Sequence, residues 1–191
     1  MTSDAREVAV GTGPTVEDAV RDTDPASGPD LLAIYLNDHL AGATGGVELA
    51  RRLADAHHSG EEGARLRRLA NDVAEDRATL ISLMARLDVS VNQVKVGLGW
   101  VVEKLGRLKL NGYLVRRSPL STVVELEAMR LGVEGKAAGW RSLRTVAGSD
   151  ERIDVAELDG LIERAAAQIE VLEALRVTAV DQTFVRTVDQ G

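Results

Sequence analysis

Apolar residues recur at steps of three and four over most of this chain, and four of these runs are long enough to predict helices of about 40 Å each. The first spans 30–57 on Leu32, Leu36, His39, Ala43, Val47, Ala50 and Ala54. The second spans 61–87 on Leu66, Leu69, Val73, Asp76, Leu80, Leu83 and Leu87. The third, 119–147, carries Val123, Val124, Leu131, Ala138 and Leu143; the fourth, 154–180, carries Leu158, Leu161, Ile162, Ala165, Ile169, Leu172 and Leu175. Start signals precede each run. Pro29–Asp30 and Ser118–Pro119 suit a first turn, and Ser59 with Glu62 and Asp154 with Glu157 have the spacing of capping boxes. Asn111–Gly112 and Gly148–Ser149 read as breaks.

Between the second and third runs lies the segment 90–117. Ser90 and Gln93 form another capping signal, and Val94, Leu98, Val101, Val102, Leu105 and Leu108 give one side of a shorter helix. Two helical hairpins joined by one long connection define a bundle with a crossover, whereas short loops throughout would give a simple up-down bundle. A weak internal repeat pairs the hairpins. A shift of about 90 positions brings Ile34, Gly42, Gly45 and Leu53 onto Val124, Gly132, Gly135 and Leu143; a shift of about 92 brings Leu69, Asp76, Leu80 and Leu83 onto Leu161, Gln168, Leu172 and Leu175. Glycine inside a helix costs up to ~1 kcal/mol, so this recurrence predicts a close approach of the first and third long helices, with a dimer contact as the rival reason.

In helix order and crossover, residues 30–180 resemble the ferritin-like superfamily. The resemblance implies an all-α, ferritin-like four-helix bundle with an additional short crossover helix at 90–117. Residues 1–29, rich in Asp, Gly, Pro, Ser and Thr with no sustained apolar period, read as a disordered acidic tail, and 182–191 as a C-terminal extension. In that superfamily two helices each give a Glu, and two give Glu-x-x-His, to hold two metals. The only histidines here are His39, His57 and His58, and no Glu stands three residues before any of them. The fold is therefore implied and the di-iron ligand set is not.

Composition narrows the chemistry further. The chain has no cysteine, which excludes thiolate metal sites, disulfides and thiol nucleophiles. Aromatics are only 3%, which favours packed helices over a β-sandwich. Of the net charge of −7, residues 1–30 carry −5, seven acids against two arginines. The nearly neutral remainder offers no field to a nucleic-acid backbone. A basic start with an apolar run, and any stretch of 18 apolar residues, are both absent, so a cytoplasmic location is expected.

Four interior polar positions are candidates for a site. His39, Asp76 and Glu127 fall on or beside the apolar stripes, Glu134 is a fourth of the same kind, and Gln168 and Tyr35 are placed to face them. One reading has His39, Asp76 and Glu127 bind a single divalent metal, iron or manganese, as an altered oxidoreductase centre. The other has Arg77 or Arg130 neutralise the acids while Tyr35 and His39 donate hydrogen bonds, a network that fixes helix register. His57 and His58 suit the carboxyl end of the first helix. There is no Gly-x-Ser-x-Gly elbow, and Gly11-Thr-Gly13 and Gly97-x-Gly99 lack the rest of a phosphate fingerprint.

The crossover is basic. Lys95, Lys104, Arg107, Lys109, Arg116 and Arg117 oppose only Glu103, for +5, with Trp100 off the apolar stripe. The ordinary reading is an apolar side that caps the bundle and a basic side that is solvated; such a surface also fits an acidic partner or an anionic membrane, or contact with the −5 tail. The expectation drawn from all this is a non-enzymatic binding or interaction protein without a cofactor, a homodimer through its glycine-lined or crossover surfaces. A metal-binding oxidoreductase and a membrane-surface or acidic-partner adaptor are the alternatives.

Overall fold

The computed structural model describes residues 30–92 and 119–185. These fold as four long α-helices, α1 (Leu31–Ala56), α2 (Gly60–Arg86), α3 (Pro119–Val146) and α4 (Val155–Val180), followed by a π-helical turn, Asp181–Val185. No strand occurs among the described residues. None of the described helices is long and apolar enough to cross a membrane. Residues 1–29, nearly all of the basic crossover, including the stretch expected to form a short helix, and residues 186–191 lie outside the described residues.

The local signals act unevenly. Asp154 caps α4 in the usual way, its side chain accepting the Ala156 N–H at 2.8 Å. Ser59 makes no side-chain cap bond, and its box with Glu62 is not formed. The reason is Gly60, whose φ of 70° turns the backbone out of helical continuation between the serine and the first amides. The α1–α2 turn is instead held by backbone contact. Arg67 donates to the His58 carbonyl at 2.9 Å, and any Cβ on Gly63 would overlap the His57 carbonyl oxygen. At the far end of α2, Asp88 adopts φ 58°, and the Asp88 and Val89 N–H groups return to Ala85 and Met84 carbonyls at 3.2 and 2.9 Å. This is a Schellman closure with Asp where Gly is usual.

Side-chain pairs fix the helix directions. Tyr35 meets Ser142 and His39 meets Gly139, while Gly46 faces Met129, so α1 and α3 are antiparallel neighbours. Arg86 pairs with Glu157 and Glu75 with Arg164, so α2 and α4 are antiparallel. Arg144–Asp159 and Arg130–Glu173 set α3 against α4 in the same sense, and Arg77 with Thr44 joins α2 to α1. It follows that α2 and α3 run the same way. The chain leaves α2 beside the α3–α4 turn, where Asp88 pairs with Arg152 at 3.1 Å. It enters α3 at the opposite end, where Thr122 meets His57 at 3.3 Å. The departure is pinned to α1 by a buried asparagine: Asn37 Nδ2 donates to the Ala33 and Ser90 carbonyls, and its Oδ1 accepts the Asn92 N–H at 2.7 Å.

Two apolar clusters stack along the bundle. One is built on Val47, Leu53, Leu66, Val73, Val133 and Leu172, the other on Leu36, Leu40, Leu83, Met84, Trp140 and Leu158. On α2 the buried stripe is the expected one. On α3 it is Val123, Leu126, Met129, Val133, Ala137, Trp140 and Leu143, while Leu131 and Ala138, assigned to the core from their spacing, lie on the surface. The two α3 patterns differ in phase by about half a turn, because Leu131 stands two residues from both Met129 and Val133, about 200° around the helix.

The glycine expectation also changes. A Cβ on Gly42, Gly132 or Gly135 would meet nothing within 4 Å, so the close approach of α1 and α3 is not made there. It is made at Gly139, where a Cβ would lie 2.9 Å from His39 Cε1.

Candidate functional site

Asp76 sits on α2 between Val73 and Leu80, where the two apolar clusters meet, and is 2% exposed. Its helix phase leaves it no route to water, so its carboxylate must be satisfied from the other helices. Three side chains do this. Lys136 of α3 reaches in with a short charge-assisted bond from Nζ to Oδ2. Gln168 of α4 donates from Nε2 to the same oxygen at 3.1 Å, and Arg164 donates from Nη1 to Oδ1 at 3.1 Å. The Lys136 ammonium also donates to Gln168 Oε1, which closes a three-membered ring of Asp76, Lys136 and Gln168. Glu75, outside the ring, accepts from Arg164 at 3.4 Å.

The group is electrically balanced, with Asp76 and Glu75 against Lys136 and Arg164. Burial holds the Lys136 ammonium below its ordinary value of 10.5, and the adjacent Asp76 carboxylate opposes that effect. The geometry suits a cation: an anionic oxygen and an amide oxygen converge on one point, and an ammonium on a flexible four-carbon stem occupies it.

Asp76 and Gln168 are also the pair that the shift of 92 aligns. Residues related by a twofold axis touch each other only on that axis, so an internal twofold relating the two hairpins would pass through this pair.

The other sequence candidates lie apart from this ring. His39 is half-buried at the α1–α3 contact, its ring 4.4 Å from Tyr35 in an edge-on arrangement and seated over Gly139. Burial lowers its pKa from 6.5, against the pull of Asp38. Tyr35 donates to Ser142 Oγ at 3.1 Å and not to an interior acid. Glu127 is on the outer side of α3, 3.7 Å from Arg176, and Glu134 is 3.7 Å from Arg130. His39, Asp76 and Glu127 are therefore not brought together, since Glu127 and Lys136 alone are separated by roughly 13 Å of α3. Among the described residues no three His, Asp or Glu side chains form a group that could hold a metal ion.

The neutralising bases also differ from those expected. Arg77 donates to Thr44 at 2.9 Å and Arg130 faces Glu134 and Glu173; it is Lys136 and Arg164 that meet Asp76. At the turn, His58 Nδ1 lies 3.3 Å from the Asp55 carbonyl, near the carboxyl end of α1. Lys95, Trp100, Lys104, Arg107, Lys109, Arg116 and Arg117 lie outside the described residues.

Lys136 is a site residue that the apolar spacing alone does not single out, although the sequence carries a signal for it. Asp76 and Gln168 both fall on apolar stripes, and a buried carboxylate requires a base within reach. Lys136 precedes the buried Ala137 and follows Val133 by three, the edge of the inner face. Comparison with protein-family models, curated proteins and solved structures finds no match for this chain.

Proposed function

We propose that this chain is a ferritin-like bundle whose interior cation is its own Lys136, and that it acts through protein contact rather than metal chemistry. The observation that carries the reading is the Lys136 ammonium seated between Asp76 and Gln168 at the meeting point of the two core clusters. A tethered ammonium in that position competes with any free cation as an intramolecular ligand, and it carries no open coordination position.

The parallel course of α2 and α3, with the chain leaving one at one end and entering the other at the opposite end, supports the ferritin-like part of the proposal. A second copy of the chain is the partner this reading favours.

Elemental analysis of the purified protein after anaerobic incubation with iron, manganese and zinc tests it. The expected result is well under one metal per chain and no oxygen uptake with ferrous iron. Stoichiometric metal lost on His39→Ala or Glu127→Ala would overturn it and restore an oxidoreductase centre.

A further inference from the structure

The outer seam of α3 and α4 holds what the interior site does not use. Leu131 projects from it with 69% of its surface exposed, although it belongs to an apolar row of the sequence. Beside it runs an open groove of about 380 Å³ lined by Glu127, Arg130, Leu131, Glu173 and Arg176. Val177, one turn from Glu173 on the same face of α4, is 53% exposed, and Phe184, the single phenylalanine of the chain, is 52% exposed. The α3–α4 register set by Arg144–Asp159 and Arg130–Glu173 brings Leu120, also exposed, level with Phe184. Large apolar side chains thus border one seam along much of its length, beyond the scatter of single exposed residues that a surface ordinarily shows.

We propose that this seam is the contact surface for a second copy of the same chain, packed about a twofold axis near Leu131. The charges choose the partner. A twofold contact presents a patch to itself, so a patch of one sign repels its mate and only a self-complementary one can bind. Here Glu127, Arg130, Glu173 and Arg176 sum to zero and alternate across the groove: Arg176 bonds Glu173 at 2.7 and 2.9 Å and lies 3.7 Å from Glu127, and Arg130 lies 3.4 Å from Glu173. A twofold axis crossing both helices between the Glu127–Arg176 and Arg130–Glu173 levels sets Glu127 of one copy against Arg130 of the other and Glu173 against Arg176, with Leu131 less than one helical turn from the axis. An anionic membrane or a strongly acidic or basic protein would find no net charge to grip.

Gly132 and Gly135, next to Leu131, leave the backbone of α3 bare on this side. A methyl group at either position would meet nothing within 4 Å, so the helix of a mate can approach closely. This inference rests on the reading of the chain as a contact protein and supplies its partner.

Sedimentation equilibrium of the full chain from micromolar to millimolar concentration is the test, with Leu131→Arg and Val177→Arg beside an Ile34→Arg control on α1. All three positions are exposed, so the variants keep the fold, as helical circular dichroism will show. The expected result is a dimer whose dissociation constant rises at least tenfold in Leu131→Arg and Val177→Arg and is unchanged in Ile34→Arg. A monomer throughout, or a dimer indifferent to both seam substitutions, overturns the proposal. Those outcomes leave the metal analysis untouched, and stoichiometric metal would overturn the contact-protein reading without altering the seam result.

Discussion

Two groups of like composition draw on α3 and α4 in this protein. At the centre, Asp76 and Glu75 meet Lys136 and Arg164; on the α3–α4 seam, Glu127 and Glu173 meet Arg130 and Arg176. Both are neutral and both are built from carboxylates and bases on facing helices. They differ in access to water. The Asp76 carboxylate is buried and the Lys136 side chain nearly so, with Glu75 and Arg164 at the solvent edge of their group, whereas all four seam side chains keep a solvent face. Attraction between charges grows as water is removed, but so does the cost of leaving one unpaired. The centre is therefore a place where a single deletion is expensive, and the seam one where it is nearly free.

The largest expected effect follows from that difference. Lys136→Met should lower unfolding free energy by about 3–5 kcal/mol, because it strands a buried carboxylate, with Arg164 holding the loss toward the lower figure. Glu127→Ala on the seam should change it by less than about 1 kcal/mol. Urea denaturation of the two variants at neutral pH, under conditions that keep the chain monomeric, measures both. Similar losses would erase the distinction.

The glycines give the same contrast at smaller scale. Gly139→Ala pushes a methyl into the His39 ring and should cost about 1–3 kcal/mol. That loss should shrink when combined with His39→Ala. Gly135→Ala, on the open side of the same helix, should stabilise the monomer by roughly 0.5–1 kcal/mol, since it removes the entropic penalty of helical glycine without meeting any atom. Thermal melts of the three variants separate these signs.

Protonation sharpens the comparison further. Lys136 titrates below 10.5 in the folded chain, chiefly because it is buried. Between that lowered value and 10.5 the unfolded chain binds the extra proton, so the contribution of this group to stability rises with pH across the window. Glu173 is opposite in origin. Its hydrogen bond to Arg176 holds its pKa below 4.5, so its contribution is present above 4.5 and is lost as pH falls through the lowered value. Because Glu173 is solvent-facing, that acid effect should be the smallest of the set. Stability profiles of wild type against Lys136→Met in the alkaline range and Glu173→Gln in the acid range read the two slopes.

Much of the helical frame was legible because burial repeats every three to four residues. The α2 stripe from Leu66 to Leu87 is buried as its spacing implies, and Asp154 announces the start of α4. What escaped was decided by atoms that spacing does not encode. The Ser59 and Glu62 pattern fails because Gly60 takes a left-handed conformation, and α2 ends on Asp88 in a conformation that composition would assign to glycine. On α3 two apolar rows half a turn apart compete, and only packing against α1 and α4 selects the one through Met129 and Trp140 over the one through Leu131.

The candidate site was legible in part for a similar reason. Asp76 and Gln168 stood out as polar residues in apolar rows, and they do meet. Their base did not, since Lys136 reaches them from the edge of its helix through the length of its side chain. Asn37 was hidden for the opposite cause: it looks like an ordinary helix residue, and its role becomes visible only when residues 90–92 are laid over α1.

A double-mutant cycle on Asp76→Asn and Lys136→Met tests the central claim most directly, by comparing the unfolding free energies of wild type, both single variants and the double. If the ammonium is the cation that Asp76 was built to hold, the double variant will be more stable than the sum of the single losses allows, with a coupling on the order of 2–3 kcal/mol. Losses that add to within about 0.5 kcal/mol would mean the two charges do not depend on one another, and Lys136 would not be the occupant of this site.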